Sequence, residues 1–163
     1  MLTRRGVPFD ADGATAASGH SDESALEALL SAPYFDRSPP KSLDRLDFTA
    51  DALAGLGTAD GAATLVAFTC RAVARSLEYL PEAPRRWLVT GGGRKNLAMM
   101  AGLAAGLGAP VGSVEEEGWD GDALEAQAFA FLAVRSRLGL SLTLPATTGV
   151  SAPTTGGRLF RAR

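Results

Sequence analysis

The sequence predicts an α/β fold, and three observations lead to that prediction. Apolar residues recur at helical spacing from Thr58 to Leu80 and from Asn96 to Leu107, and a third apolar helix follows in "DGDALEAQAFAFLAVRSRLG". Two short runs, "RRWLVT" and "PVGSV", have the apolar and β-branched content of buried strands. Three consecutive glycines stand between the first strand and the helix after it. The order of helix, strand, glycine loop, helix, strand and helix is typical of α/β proteins.

Each helix has its own start and stop signals. Thr58 and Asp60 are capping candidates before the first long helix, and Pro81 ends it. Gly108 and Gly139 stand at the C-terminal cap positions of the second and third. The third helix is apolar nearly all the way round, which predicts burial on more than one side. An average sheet has about five or six strands, so two strands predict part of a larger structure.

Length and composition restrict the class of protein. At 163 residues the chain is long enough for one hydrophobic core and short for two. A formal net charge of −2 gives no basic surface for nucleic acid or for an anionic membrane. No apolar stretch approaches the roughly 18–20 residues that span a bilayer, and the first residues lack the apolar centre of a secretory signal. The sequence therefore predicts a cytoplasmic protein that binds neither nucleic acid nor membrane.

Cysteine and histidine are too rare to support several kinds of site. Cys70 is the single cysteine, and its helical, apolar surroundings favour a small core residue over a reactive thiol. His20 is the single histidine and lies in a polar segment. A histidine metal site or a Ser/His/Asp triad would have to depend on that one residue. Zinc sites and hydrolase triads are therefore disfavoured.

We expect residues 1–46 to form the turn-rich edge of a domain and residues 47–163 to form its main lobe. Within the first segment, "SDESALEALLS" predicts one short helix that Ser21 or Asp22 can cap. The stretch "DADG", Asp10 to Gly13, begins like a calcium loop, but the further acidic ligands of such a loop are missing. A turn is the favoured interpretation, because Asp and Gly supply turn geometry by themselves.

The glycine loop is the main candidate for binding chemistry. Unpaired N–H groups at a helix N-terminus favour anions and polar ligand edges. A phosphate loop is excluded, because Asn96 stands where its second glycine belongs and no Lys-Ser/Thr pair follows. The dinucleotide pattern fits Gly91, Gly93 and the acid Glu115, but Asn96 replaces its third glycine and too few strands follow. A plain strand-to-helix turn stays open as the alternative to any ligand.

Several stretches in a fixed order resemble one known family. "VTGGGRKNLAMMAGL" resembles the adenosine-binding stretch of the acetate and sugar kinase, Hsp70 and actin superfamily. The stretches "PPKSLDRLDF", "TADGAATLVAFTCRAV" and "GDALEAQAFAFLAVR", with the tail "LPATTGVSAPTTGG", resemble the C-terminal half of the anhydro-N-acetylmuramic acid kinases. This resemblance covers nearly the whole chain.

The resemblance implies a ribonuclease-H-like, actin-like ATPase lobe that faces a second such lobe across a cleft. The family converts 1,6-anhydro-N-acetylmuramic acid, ATP and water to N-acetylmuramic acid 6-phosphate, a step in recycling the cell wall. The resemblance also implies that adenosine lies directly against the backbone of Gly91, Gly92 and Gly93, and that Asn96 caps the next helix or touches the nucleotide. Mg²⁺ would be held mainly through the phosphates and the other lobe.

Two further residues are candidates for the site. Glu125 lies on a helix that is otherwise almost wholly apolar, where a buried carboxylate needs partners. The family motif "EAQAFA" implies a hydrogen bond to the sugar or to the hinge that shapes its pocket, and an acid stabilised by the helix N-terminus is the alternative. Lys41 is either a phosphate or cleft residue or, as the favoured interpretation, a solvated lysine.

The chain departs from the family pattern in two motifs. The resemblance leads us to expect a phosphate loop of the type M-S-G-T-S-x-D-G and a D-T-G-P-G-N stretch with the catalytic aspartate, and neither occurs. We therefore predict a C-terminal lobe with no catalytic residue and no metal ligand, inactive alone, whether a truncated gene product, a separately made lobe or half of a split enzyme. Its partners would be the N-terminal phosphate-binding lobe and, as a further arrangement, a second copy in a homodimer. Another sugar or acetate kinase, or a non-catalytic nucleotide-binding or assembly lobe, are the alternatives.

Overall fold

The structure, a computed structural model, describes residues 6, 8–43, 49 and 51–160. In that part of the chain, one pair of strands and six α-helices are joined by loops and short 3₁₀ turns. No helix there is both long enough and apolar enough to cross a bilayer. The strands are β1 (Trp87–Val89) and β2 (Val111–Ser113), and the helices are α1 (Ala14–Ala17), α2 (Glu23–Leu30), α3 (Thr58–Arg75), α4 (Leu97–Gly106), α5 (Leu124–Arg137) and α6 (Pro145–Thr148).

The two strands form a parallel pair. Trp87 lies opposite Val111, and Val89 lies opposite Ser113. Parallel strands need a crossover between them, and α4 supplies it here. The predicted α/β order of elements is therefore confirmed. Because the strands are parallel, the loops that follow their carboxyl ends leave from the same end of the pair.

The long helix α3 is the centre of the helical part. Helices α1, α2 and α4 all pack against it. A buried cluster of Ala25, Leu29 and Leu53 packs against Phe68 on α3. The α-helix ends at Arg75, and a 3₁₀ turn, Ser76–Tyr79, continues the segment that was predicted as helix.

A buried threonine joins α2 to α3. The Thr64 side chain is fully buried; its hydroxyl donates to the carbonyl oxygen of Asp60 at 2.7 Å and accepts from the amide of Asp22 at 3.0 Å. The Asp22 carboxylate accepts from the amide of Ala25 at 2.8 Å, so the predicted cap of α2 is confirmed at Asp22. Polar contacts thus fix the start of α2 on α3.

The "DADG" stretch is a turn that leads into α1. The Asp10 carboxylate accepts from the amides of Thr15 at 2.8 Å and Ala16 at 3.0 Å. Gly13 is buried and has a φ of +74°. The turn interpretation of this stretch is confirmed, and the Asp10 carboxylate is bonded to the backbone of α1.

Helix α5 differs from the other long helices in its exposure. It has no buried residue, and Phe129 and Phe131 are 65% and 61% exposed. The prediction that this helix is buried on more than one side is wrong for this chain. An apolar helix is buried only where a second surface covers it, and the described residues supply no such cover.

Candidate nucleotide and sugar site

The glycine loop starts one residue beyond β1 and passes through a 3₁₀ turn, Gly92–Lys95, towards α4. Gly91 has a φ of +69°, a conformation that residues with a Cβ rarely adopt. Gly92 is different: it is exposed, its φ is ordinary, and a Cβ placed on it meets no described atom within 4 Å. The turn explains the glycine at 91 and gives no internal reason for the one at 92.

Asn96 caps α4 and contacts the N-terminal part of the chain. Its Oδ1 accepts from the amide of Met99 at 2.9 Å. Gly13 lies directly against this side chain, since a Cβ on Gly13 would stand 2.8 Å from Cγ of Asn96. The capping geometry expected of Asn96 is present, and its contact with a nucleotide stays a prediction.

Arg94, which no motif predicted, ties the glycine loop to the loops that follow β2. Its side chain is only 7% exposed. Its Nε donates to Oε1 of Glu115 at 2.7 Å, and its Nη1 donates to the carbonyl oxygen of Gly91 at 2.8 Å and to Oδ1 of Asp122 at 3.0 Å. Lys95 adds an ion pair with Asp122 at 2.8 Å. We call these four charged side chains the Arg94 network.

Backbone hydrogen bonds join the same two regions. The amide of Gly91 donates to the carbonyl oxygen of Gly121 at 3.3 Å, and the Thr90 hydroxyl donates to the same oxygen at 3.4 Å. The amide of Gly121 donates to Oε1 of Glu115 at 3.2 Å. The loop after β1 and the chain before α5 are therefore held together by both backbone and side chains.

The charges of the Arg94 network stabilise one another. The hydrogen bond from Arg94 lowers the pKa of Glu115 to about 2, and hydrogen bonds from Arg94 and Lys95 lower the pKa of Asp122. The hydrogen bond to Asp122 is the largest cause of the raised pKa of Arg94. Because Glu115 is engaged by Arg94 and Gly121, it is a poor candidate for the ribose contact that a dinucleotide site requires.

A signal for this network exists in the sequence. Arg94 and Lys95 follow the first strand, and Glu115 and Asp122 follow the second. Carboxyl ends of adjacent parallel strands lie together, so opposite charges in the loops after them are expected to meet. Arg94 and Glu115 are 21 positions apart, so a search for local motifs does not find the pair.

Glu125 lies in the first turn of α5 and is exposed. In the described part of the chain its carboxylate has no hydrogen bond or ion pair. The expectation of a buried carboxylate with partners is wrong for this chain, because nothing described covers α5. Its position fits the alternative of an acid near the positive end of the helix dipole, and a contact with sugar stays a prediction.

Lys41 has a structural environment. Its Nζ donates to the carbonyl oxygens of Tyr34 at 3.2 Å and Phe35 at 3.1 Å. It also lies 4.9 Å from the ring centroid of Tyr34 and 4.6 Å from that of Tyr79, within the range of cation–π attraction. The interpretation of Lys41 as an exposed lysine that is only solvated is wrong, because the residue is half-buried and its ammonium group contacts two carbonyls and two aromatic rings.

Cys70 and His20 show no sign of a reactive or metal site. The Cys70 thiol is half-buried, donates to the carbonyl oxygen of Met99 at 3.6 Å, and has a pKa raised by burial. His20 is exposed. Across the described residues, no group of three or more His, Cys, Asp or Glu side chains is placed to hold a metal ion.

Comparison with known protein families shows to which family the chain belongs. A family model described as "Anhydro-N-acetylmuramic acid kinase" matches residues 1–162. The chain belongs to the anhydro-N-acetylmuramic acid kinase family. The resemblance seen in the sequence is thereby confirmed, and the glycine loop, the Arg94 network and Glu125 all lie within the matched residues.

Curated anhydro-N-acetylmuramic acid kinases are much longer than this chain. The one from Rhodospirillum rubrum is 59% identical over 162 residues, which are 99% of this chain and 43% of that kinase. The kinases from Paramagnetospirillum magneticum and Methylobacterium nodulans are each 56% identical over 96% of this chain, which corresponds to 45% and 42% of their lengths. The chain therefore spans less than half the length of the curated relatives it matches.

Proposed function

We propose that this chain supplies the adenosine-binding loop and part of the sugar site of an ATP-dependent, cytoplasmic anhydro-N-acetylmuramic acid kinase. The proposed reaction opens the anhydro ring of 1,6-anhydro-N-acetylmuramic acid and yields N-acetylmuramic acid 6-phosphate. The observation that carries the proposal is the glycine loop between β1 and α4, in a chain that belongs to this family. The chain would be inactive alone.

The glycine loop fits a nucleoside because its outer surface is free of side chains. Gly92 is exposed and has open space where a Cβ would lie, so a ligand can approach the backbone there. Leu97, the first residue of α4, is 69% exposed and offers an apolar surface beside the loop. When bound, ATP would supply the phosphoryl group, with Mg²⁺ on its phosphates. The residues of this chain would only admit and orient the nucleoside.

Glu125 is proposed to hydrogen-bond the sugar. Its carboxylate is exposed at the start of α5, and no described side chain occupies its acceptor oxygens. A free carboxylate can accept hydroxyl or amide protons of an amino sugar without first losing a protein partner.

We propose that the rest of the kinase covers the apolar surface of this chain. Helix α5 has no buried residue, and Phe129 and Phe131 are mostly exposed. The indole nitrogen of Trp87 on β1 is buried and has no hydrogen-bond partner in the described part of the chain. A ribonuclease-H-like lobe would extend the two-stranded sheet, with residues 1–46 near the hinge and 47–163 as the adenosine lobe. A homodimer through α5 is the second candidate.

Nucleotide binding is tested with one substitution on the loop and one away from it. Gly92→Val should leave folding unchanged, because Gly92 is exposed and a Cβ there meets no described atom within 4 Å, and it should abolish binding of ADP measured by calorimetry. Gly55→Val is the matched control, since Gly55 is also exposed, with ordinary φ and open space. ADP binding that is unchanged in Gly92→Val would place the nucleotide elsewhere.

The sugar contact is tested in a complete kinase, in which this chain is joined to the part that the longer relatives have in addition. Glu125→Ala should reduce kcat/KM for the anhydrosugar by about tenfold to a hundredfold, the equivalent of about 1.5–3 kcal/mol for a hydrogen bond to a charged group. Glu27→Ala, on the exposed face of α2, is the control. An unchanged kcat/KM would remove Glu125 from the site, and sugar phosphorylation by the 163-residue chain alone would refute its proposed inactivity.

Sizing of the same chain separates the two ways of covering α5. One outcome is a monomer that forms a larger complex only when the part of the kinase present in the longer relatives is added. That result supports cover by the rest of the kinase. A concentration-dependent dimer that Phe129→Ser abolishes supports the homodimer, and with it the assembly role.

A further inference from the structure

The Arg94 network joins two parts of the candidate site that lie apart in sequence. On one side, the guanidinium of Arg94 bonds to the carbonyl oxygen of Gly91, the first residue of the glycine loop, at 2.8 Å. On the other side, it bonds to Asp122 at 3.0 Å, and Asp122 precedes the N-cap residue of α5, Ala123, by one position. One side chain therefore contacts both the proposed adenosine loop and the start of the helix that carries Glu125.

The segment before α5 is hydrogen-bonded to the start of that helix. Oδ1 of Asp120 accepts from the amides of Asp122 at 2.9 Å and Ala123 at 3.2 Å. Gly121 passes so close to the guanidinium that a Cβ on it would stand 2.8 Å from Cζ of Arg94. Arg94 therefore packs directly against the chain that leads into the first turn of α5, where Glu125 lies.

A second arginine in the same region shows what is particular to Arg94. Arg86 also pairs with two acids, Glu116 and Glu117, but its side chain is 38% exposed, and within the described part of the chain its hydrogen bonds go to those two acids alone. Arg94 is 7% exposed and bonds to a backbone oxygen of the loop as well as to acids. A planar guanidinium holds several donors in a fixed fork and suits this set of acceptors better than the flexible ammonium of a lysine does.

We infer that Arg94 is a positioning residue that couples the nucleotide loop at Gly91–Gly93 to the placement of the Glu125 carboxylate. This inference rests on the proposed function, because the coupling matters to catalysis only if a nucleotide binds at the loop. Nucleotide contact with the loop fixes the Gly91 carbonyl, Arg94 transmits that order to Asp122, and the first turn of α5 becomes ordered with it.

The experiment combines ADP titration with amide hydrogen exchange on the 163-residue chain and on Arg94→Gln, Arg94→Lys and Arg86→Gln. In the unmodified chain, ADP should slow exchange both in 91–96 and in 120–126. In Arg94→Gln, ADP should slow exchange in 91–96 alone, with about tenfold weaker binding, the loss of roughly one charge-assisted hydrogen bond. Arg94→Lys should recover part of both effects, and Arg86→Gln should behave like the unmodified chain.

The outcomes separate this inference from the proposed function. If Arg94→Gln keeps the ADP response in 120–126, the coupling is refuted although nucleotide binding stands. If the unmodified chain does not bind ADP, the proposed function fails. Amide exchange measured without ADP then tests whether Arg94 positions the two segments. In that case faster exchange of both segments in Arg94→Gln, but not in Arg86→Gln, supports the joint positioning of the two segments, and unchanged exchange refutes it.

Discussion

The helices around α3 and the helix α5 have comparable apolar content and opposite surroundings. In α2, Leu26 and Leu29 are 0% and 5% exposed, because α2 packs on α3. In α5, Phe129 and Phe131 are more than half exposed. The comparison shows that apolar residues at helical spacing select a helix, whereas the surface that covers the helix comes from elsewhere in the fold.

The largest expected effect tests this comparison directly. Leu26→Ala should lower the free energy of unfolding by about 3–5 kcal/mol, because a fully buried leucine leaves a cavity. Phe129→Ala should change it by less than about 0.5 kcal/mol in this chain, since exposed positions contribute little. Urea unfolding of both variants checks the pair. Equal losses would mean that α5 is covered in solution.

A substitution at the contact between the N-terminal turn and α4 should have the next largest effect on stability. Gly13→Ala should destabilise the chain by about 3 kcal/mol, because it adds an overlap with Asn96 to the roughly 1–2 kcal/mol of left-handed backbone strain. Gly108→Ala is the control: it also has positive φ, 65°, but its Cβ meets nothing within 4 Å. Thermal unfolding should rank them in that order. Equal shifts would argue against the contact between Gly13 and Asn96.

The polar link between α2 and α3 should have a smaller effect. Thr64→Val leaves the Asp22 amide without its acceptor and should lower the free energy of unfolding by about 1–3 kcal/mol. Thr69→Val, which removes only an exposed hydroxyl bonded within α3, should stay within about 0.5 kcal/mol. Chemical denaturation of both variants is the measurement. A loss confined to Thr69→Val would contradict the assignment of Thr64 as the link.

The smallest expected effect concerns the Arg94 network and pH. The folded pKa of Glu115, about 2, lies below the value of about 4.3 for an unpaired glutamate. The contribution of the Glu115 carboxylate to the free energy of unfolding is therefore fully present above about pH 4.3 and is lost as the pH falls towards 2. Glu115→Gln should lower Tm at pH 7, and the gap to the unmodified chain should narrow below about pH 4. A gap that is constant from pH 7 to pH 3 would show that the ion pair does not contribute.

Much of the local structure could be predicted from the sequence. The cap at Asp22, the strand before the glycines and the helix that starts after Asn96 depend on residues close together in the chain, and all three are present. The positions of the glycine loop and of Glu125 could be read from motifs for the same reason. Their roles as ligand contacts stay predictions.

The environments of individual side chains could not be predicted in the same way. Lys41 was expected in solvent and lies between carbonyls and tyrosine rings, one of them 38 positions away at Tyr79. Arg94 was not expected at the site, because its partner Glu115 lies beyond a helix and a strand. Both arrangements depend on which loops the fold brings together.

The sequence by itself determined the order of helices and strands, the caps at Asp22 and Asn96, the glycine loop and membership of the family. Each depends on local spacing, because hydrogen bonding and side-chain periodicity act over a few residues. The capping prediction for α3 was wrong, because Gly57 is its N-cap and no side chain caps it. Only the tertiary structure decided that Arg94 joins the two loops and that α5 is left uncovered. The Arg94 network requires two loops that are distant in the chain to lie together, and the exposure of α5 depends on whether another segment packs on it. No local pattern in the sequence contains that information.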